Sequence, residues 1–212
     1  MFKIFSAAVT AAVFTAAATA QTPSFSRASL ANTASFTITN TLAPNGGAKV
    51  AQVTRVEVKG NKARVEMNNP QIGRVLYLAN EKGVFLYMPA QKLAQRQSLP
   101  AGESVNTVLG RAFGQVNRQL RTAKKIGTER VSGQNTDVYR DSRSGALIHI
   151  GKNPGFRLPV KVTTKNQGGT RTVLVSNIKT NIALADARFA VPTGVRVIES
   201  DGAAGLPGGG GL

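Results

Sequence analysis

Asp137 and Asp141 lie four residues apart in a segment that reads as a strand, so both carboxyls share a face with Tyr139. Two carboxyls flanking a sugar are the equipment of a glycosidase. Arg140, Arg143 and nearby lysines offer a plainer account, in which these acids form surface ion pairs. His149 is the single histidine and sits in Ala146-Leu147-Ile148-His149-Ile150. In a strand it points away from Ile148 and Ile150, toward the surface. A hydrolase triad needs a histidine beside a nucleophile, and no Gly-x-Ser-x-Gly occurs. With no cysteine and one histidine, the usual four zinc ligands cannot be assembled. The glycines at 45–47 and 168–169 carry no Gly-Lys-Ser/Thr and do not lead a strand into a helix. They read as hairpin turns, not phosphate cradles. The expectation is a protein without catalytic residues, metal or cofactor.

The elements around these residues are mostly short strands divided by turn signals. Val56 and Val58 oppose Arg55, Glu57 and Lys59; after Gly60-Asn61, Ala63, Val65 and Met67 oppose Lys62, Arg64 and Glu66. That alternation predicts a hairpin with one apolar and one charged face. Val75-Leu76-Tyr77-Leu78 and Val84-Phe85-Leu86-Tyr87-Met88 are apolar on both faces, so both faces should be covered. Pro89 ends the second of these strands. One strong helix is predicted over 103–123, with Val105, Val108, Leu109, Ala112, Phe113, Val116 and Leu120 at spacings of three and four. Gly110 and Gly114 would allow it a close approach to a sheet, and Arg118, Arg121, Lys124 and Lys125 suit its negative end. Strand pairs continue through 126–141, 146–150, 158–178 and 189–197. Roughly ten to twelve strands and one helix predict a curved, antiparallel, mostly β fold of the α+β class. Such a sheet with one amphipathic helix can enclose an apolar cavity.

The chain opens Met1-Phe2-Lys3, runs apolar to Ala18, and reaches Ala18-Thr19-Ala20 before Gln21-Thr22-Pro23. This is the pattern of a cleaved secretory signal peptide over 1–20. No cysteine follows it to carry a lipid. Residues 21–33 are polar, 34–199 form one folded domain, and the tail 200–212 is glycine-rich. The 42% hydrophobic content suffices for a core. The formal charge is +17, from 27 basic and 10 acidic residues, and cleavage would remove only Lys3 from it. Such a field attracts anions. The cations are scattered with little aromatic interleaving, and an exported protein seldom meets nucleic acid, so no nucleic-acid partner is expected.

The order of elements resembles the periplasmic lipoprotein-carrier superfamily, the LolA-like and LolB-like proteins and their relatives. The resemblance runs from about Ser35 to Val197. It is carried by Val58-Lys59-Gly60-Asn61-Lys62-Ala63-Arg64-Val65-Glu66, by Gly83-Val84-Phe85-Leu86-Tyr87-Met88-Pro89, and by Lys125-Ile126-Gly127-Thr128-Glu129-Arg130-Val131-Ser132-Gly133 leading to Tyr139. Leu158-Pro159-Val160-Lys161-Val162, Ser176-Asn177-Ile178-Lys179 and Phe189-Ala190-Val191-Pro192 continue it. The resemblance implies an incomplete antiparallel barrel whose apolar cavity holds acyl chains, in a periplasmic monomer that could serve lipoprotein sorting. On this reading Val65, Met67, Val75, Tyr77, Val84, Leu86, Met88, Val105, Leu109, Phe113 and Val116 are the candidate lining. The partner would be a lipid or a lipoprotein acyl chain, with an anionic membrane surface as a second contact. The alternative is a basic envelope protein that binds anionic headgroups or cell-wall polymers.

Overall fold

A computed structural model describes Phe25 and residues 27–97 and 113–199. The strands are β1 (Thr33–Pro44), β2 (Val50–Lys59), β3 (Lys62–Asn69), β4 (Gly73–Asn80), β5 (Gly83–Met88) and β6 (Leu93–Gln97). After α1, whose described part is 113–120, come β7 (Ala123–Val131), β8 (Gln134–Asp141), β9 (Leu147–Gly151), β10 (Pro159–Asn166), β11 (Gly169–Thr180) and β12 (Arg196–Glu199). All twelve join one open, curved sheet in the order β12-β6-β5-β4-β3-β2-β1-β11-β10-β9-β8-β7. The expected fold class is therefore the observed one.

Sequence neighbours pair with each other, β6 with β7 and β11 with β12 excepted, and every pairing is antiparallel except β6 with β12, which run parallel. β12 falls where a strand was expected at 195–197 but pairs parallel with β6 instead of in a hairpin, and β6 itself was not expected. Pro89 ends β5 as expected, and a 3-10 turn over Pro89–Gln91 then returns the chain as β6, which no strand signal announced. Phe189 lies in another 3-10 turn, Asp186–Phe189, where a strand was expected. The chain later joins β6 as β12, with Arg96 Nη1 3.0 Å from Glu199 Oε1.

The helix also ends earlier than predicted. Residues 121 and 122 turn, and Lys124 and Lys125 belong to β7 rather than to a helix terminus. Among the described residues, a Cβ on Gly114 would meet only the Arg118 guanidinium, at 3.9 Å, so none of the described strands packs closely on Gly114. Gly110 lies outside the described residues.

Residues opposed in register share a face of the sheet. One face, here the inner, carries the main core: Phe36 and Ile38 from β1, Val56 and Val58 from β2, Ala63 and Val65 from β3, Ala79, Val84, and Ile148, Val160, Val162, Val173 and Val175 from the other half. Phe113, Val116 and Leu120 of α1 belong to the same cluster, so the helix lies over the inner face. Their three- and four-residue spacing is what places them there. The Phe36 and Phe156 rings meet edge to face at 5.2 Å, and Phe25 meets Phe113 at 6.1 Å. A second, smaller cluster of Leu76, Leu78 and Phe85 lies on the outer face, packed by Tyr87 and Val191. Both sides of β4 and β5 are thus covered, as their doubly apolar sequences require.

Candidate functional site

The inner face of β2 to β5 is built in rows that cross the strands. One row runs Phe36, Val56, Val65, Tyr77, Leu86. The next row toward the end of the sheet where β1 finishes runs Ile38, Thr54, Met67, Val75. The row on the other side, Ala34, Val58, Ala63, Ala79, Val84, is buried throughout. Burial loosens along this direction: Tyr77, Met67 and Thr54 are only half-buried. Further on stand Asn40 and Gln52, then the exposed pair Leu42 and Val50. The inner face is therefore dry and small-chained at one end; at the other it is accessible and sets Met67, Tyr77 and Leu42 beside polar Thr54, Gln52 and Asn40.

Of the predicted lining, Val65, Met67, Val75, Tyr77, Val84, Leu86 and Met88 all fall on this one face, because each is an alternate residue of its strand in matching register. Val65, Val75, Val84 and Leu86 are buried; Met67, Tyr77 and Met88 are half-buried. Phe113 and Val116 meet the same core from α1. Val105 and Leu109 lie outside the described residues. Two surface depressions stand elsewhere. One, of about 430 Å³, is bordered by Thr128, Glu129, Arg130, Asn135, Thr136 and Lys152. The other, of about 400 Å³, lies on the outer face between the β4–β5 turn and the segment around Phe189 and Val191. Neither is lined by the predicted residues.

The outer face of the same strands is charged around its small apolar cluster. Arg188 reaches Glu57 with Nη2 at 2.6 Å and Nε at 2.9 Å. Asp186 takes Lys59 at 3.2 Å and Lys62 at 2.9 Å. Glu66 sits between Arg64 and Arg74, each at 3.0 Å. Burial alone would raise the Glu66 carboxyl, but these two guanidiniums outweigh it and hold it below its ordinary range. Lys59 also donates to the Leu184 carbonyl and Asn80 to that of Phe189, both at 2.8 Å. The stretch after β11 is thus a strap over the outer face, where Val191 packs on the apolar cluster and Phe189 is itself 1% exposed.

The residues that suggested catalysis are occupied otherwise. Asp137 is 2.8 Å from Lys125 and 3.7 Å from Lys152, the ion-pair role anticipated for it. Asp141 makes no such pair among the described residues; it accepts from Thr122 Oγ1 at 2.6 Å, from Ser144 Oγ at 2.5 Å and from the N–H groups of Arg143 and Ser144. Burial would raise this carboxyl, but those donors hold it down at about 2. Asp141 therefore fastens the turn after β8 to the end of α1. His149 corrects the expectation of a surface position: it is 2% exposed. Its Nε2 lies 2.9 Å from Glu129 Oε2, and this hydrogen bond lowers the Glu129 carboxyl. A carboxylate only accepts, so Nε2 carries the proton and donates. A partner two strands away in the sheet, on β7, made this burial affordable, and no local pattern announces it. Among the described residues no group of three or more His, Asp or Glu could hold a metal, and no helix is long and apolar enough to cross a membrane.

Fold and site together define an open-sheet β protein with one apolar face under a helix. No family model and no curated protein sequence matches the chain. Among solved structures it is similar to an uncharacterized conserved protein from Thermus thermophilus, at 14% identity over 81% of this chain and 93% of that one, with a TM-score of 0.52. It is also similar to a LolA superfamily protein from Nitrosomonas europaea, at 13% identity, 75% and 90% coverage, and a TM-score of 0.38. The lipoprotein LppX from Mycobacterium tuberculosis follows at 11% identity, 71% and 89% coverage, and a TM-score of 0.36. The likeness to the Thermus thermophilus protein is one of architecture.

Proposed function

We propose that the protein is an exported LolA-like carrier that holds a lipid or lipoprotein acyl chain against its inner face. One observation carries this reading: the inner face of β3 to β5 is apolar without a break from Ala63 and Ala79, which are buried, to Tyr77 and Met67, which are half-buried. Acyl chains need apolar area without polar partners, and the residues there offer that. The seven strand residues named from the sequence, with Phe113 and Val116, are the proposed contacts. Export rests on residues 1–20, and residues 34–199 act as one monomeric domain in this proposal.

The test is displacement of a fluorescent fatty-acid probe from the purified protein. Binding in the micromolar range, competed by unlabelled fatty acid, is expected. A protein that leaves the probe free at all concentrations would refute the reading. The acid-free end of the sheet also favours a role against anionic headgroups.

A further inference from the structure

The two ends of the sheet differ in charge. No Asp or Glu precedes Glu57, and none lies between Asp141 and Asp186. The four adjacent strands β2-β1-β11-β10 therefore carry no carboxylate at the end where β1 meets β2, since Glu57 sits toward the other end, opposite Ser35. The β1–β2 tip reads Leu42-Ala43-Pro44-Asn45-Gly46-Gly47-Ala48-Lys49-Val50-Ala51. Leu42 and Val50 face each other across it and remain 48% and 65% exposed. The β10–β11 turn stands beside this tip, because Asn45 donates to the carbonyls of Gly168 at 3.2 Å and Gln167 at 2.9 Å. Lys49 and Lys165 are exposed there. Arg171, opposite Leu42 in register, is steadied by Asn40 at 3.0 Å.

Exposed aliphatic side chains ringed by cations, with no carboxylate to neutralise them, match the interface of an anionic membrane. A stable protein partner covers roughly 800 Å² of matched surface. A hairpin tip with two exposed aliphatic residues is small for that, whereas a bilayer asks for no matching shape. Leu42 and Val50 also continue the alternation of Phe36, Ile38 and Val56, so they lie on the inner face at its accessible end.

We propose that the β1–β2 tip docks this end of the sheet on an anionic phospholipid surface. Leu42 and Val50 enter the interfacial zone, Lys49 and Lys165 meet lipid phosphates, and the accessible part of the inner face is brought to the bilayer. Its purpose rests on the acyl-chain reading, but its test does not.

Flotation with phosphatidylglycerol–phosphatidylethanolamine vesicles, against phosphatidylcholine vesicles, measures the docking. The protein should float with the anionic vesicles, less so in high salt, and not with the neutral ones. Leu42→Ser with Val50→Ser should weaken binding at least about tenfold. Lys49→Gln and Lys165→Gln should each weaken it about fivefold. These positions are exposed or half-open, and circular dichroism checks each fold. The control is Lys124→Gln with Ile126→Ser on β7, where Ile126 is also exposed; it should float like the parent. Equal loss from the β7 control would reduce the effect to net charge and overturn the proposal. So would tip variants that float normally, or a parent protein that binds no vesicle, which would leave the tip to a protein partner. Probe binding measured on the same tip variants should be unchanged, so failure of docking and failure of the carrier reading are read separately.

Discussion

The two faces of β4 and β5 are both apolar, yet they are finished differently. The outer face carries Leu76, Leu78 and Phe85 under a strap of the protein's own chain, pinned by Arg188, Asp186 and Asn80. The inner face carries Val65, Met67, Tyr77 and Val84, all uncharged, meeting the α1 cluster at one end and loosening at the other. An apolar surface that the chain itself closes is structural. One that stays accessible is a surface to which a ligand can add. The contrast separates stability from binding, and it can be broken from either side.

The largest effect should come from opening the outer face. Phe189→Ala removes a ring that is 1% exposed and should cost about 3–5 kcal/mol in urea unfolding, as buried aromatic truncations do. Probe binding by the folded fraction should persist, because the inner face is untouched. A loss below 1 kcal/mol would mean that the strap does not seal this face.

Asp141 comes next and tests the frame that holds α1 over the inner face. Its carboxyl is held at about 2 against an ordinary 3.8. A depressed folded value means that its contribution is fully present above pH 3.8 and is lost as pH falls through about 2. The difference corresponds to about 2 kcal/mol. Asp141→Asn should therefore lower stability at pH 7 and flatten the acid limb below pH 4. An unchanged acid limb, followed by denaturant midpoints across pH, would remove Asp141 from that role.

On the inner face, Met67→Gln keeps length but places an amide where an acyl chain would lie. Probe affinity should fall about tenfold, the scale of one buried apolar side chain. Phe85→Leu on the outer face should leave it unchanged. If the two variants traded effects, the binding face would be the outer one.

Much of this contrast was legible in the residues. Alternation at 54–67 placed Val56, Val58, Ala63 and Val65 on one face, because period-two patterning decides burial wherever one side meets water. The doubly apolar run at 75–88 announced that both sides are covered, but not by what. The cover is non-local: the strap arrives from more than a hundred residues away, through pairs such as Arg188 with Glu57. β6, Leu93-Ala94-Gln95-Arg96-Gln97, has little apolar signal and is defined by its neighbours β5 and β12. His149 likewise looked exposed because its partner Glu129 lies on another strand. The candidate lining was legible as a face of the sheet; Val105 and Leu109 fall outside the described residues.

The smallest effect concerns the ions that pin the strap. Arg188 grips Glu57 through two nitrogens, and Glu57 in turn holds the Arg188 guanidinium protonated through this hydrogen bond and its charge. The Arg188 side chain is nevertheless 48% exposed, so water screens much of the attraction. Arg188→Ala should cost less than about 1 kcal/mol, and a double-mutant cycle with Glu57→Gln should give a coupling of a few tenths up to that limit. Added salt should shrink the coupling further. The Phe189 ring, 1% exposed in the parent, should stay buried in the single variants, which would make its burial rather than the ion pair the larger contribution to the strap's stability. A coupling well above 1 kcal/mol would reverse that order and make the charged lattice, not Phe189, the element that closes the outer face.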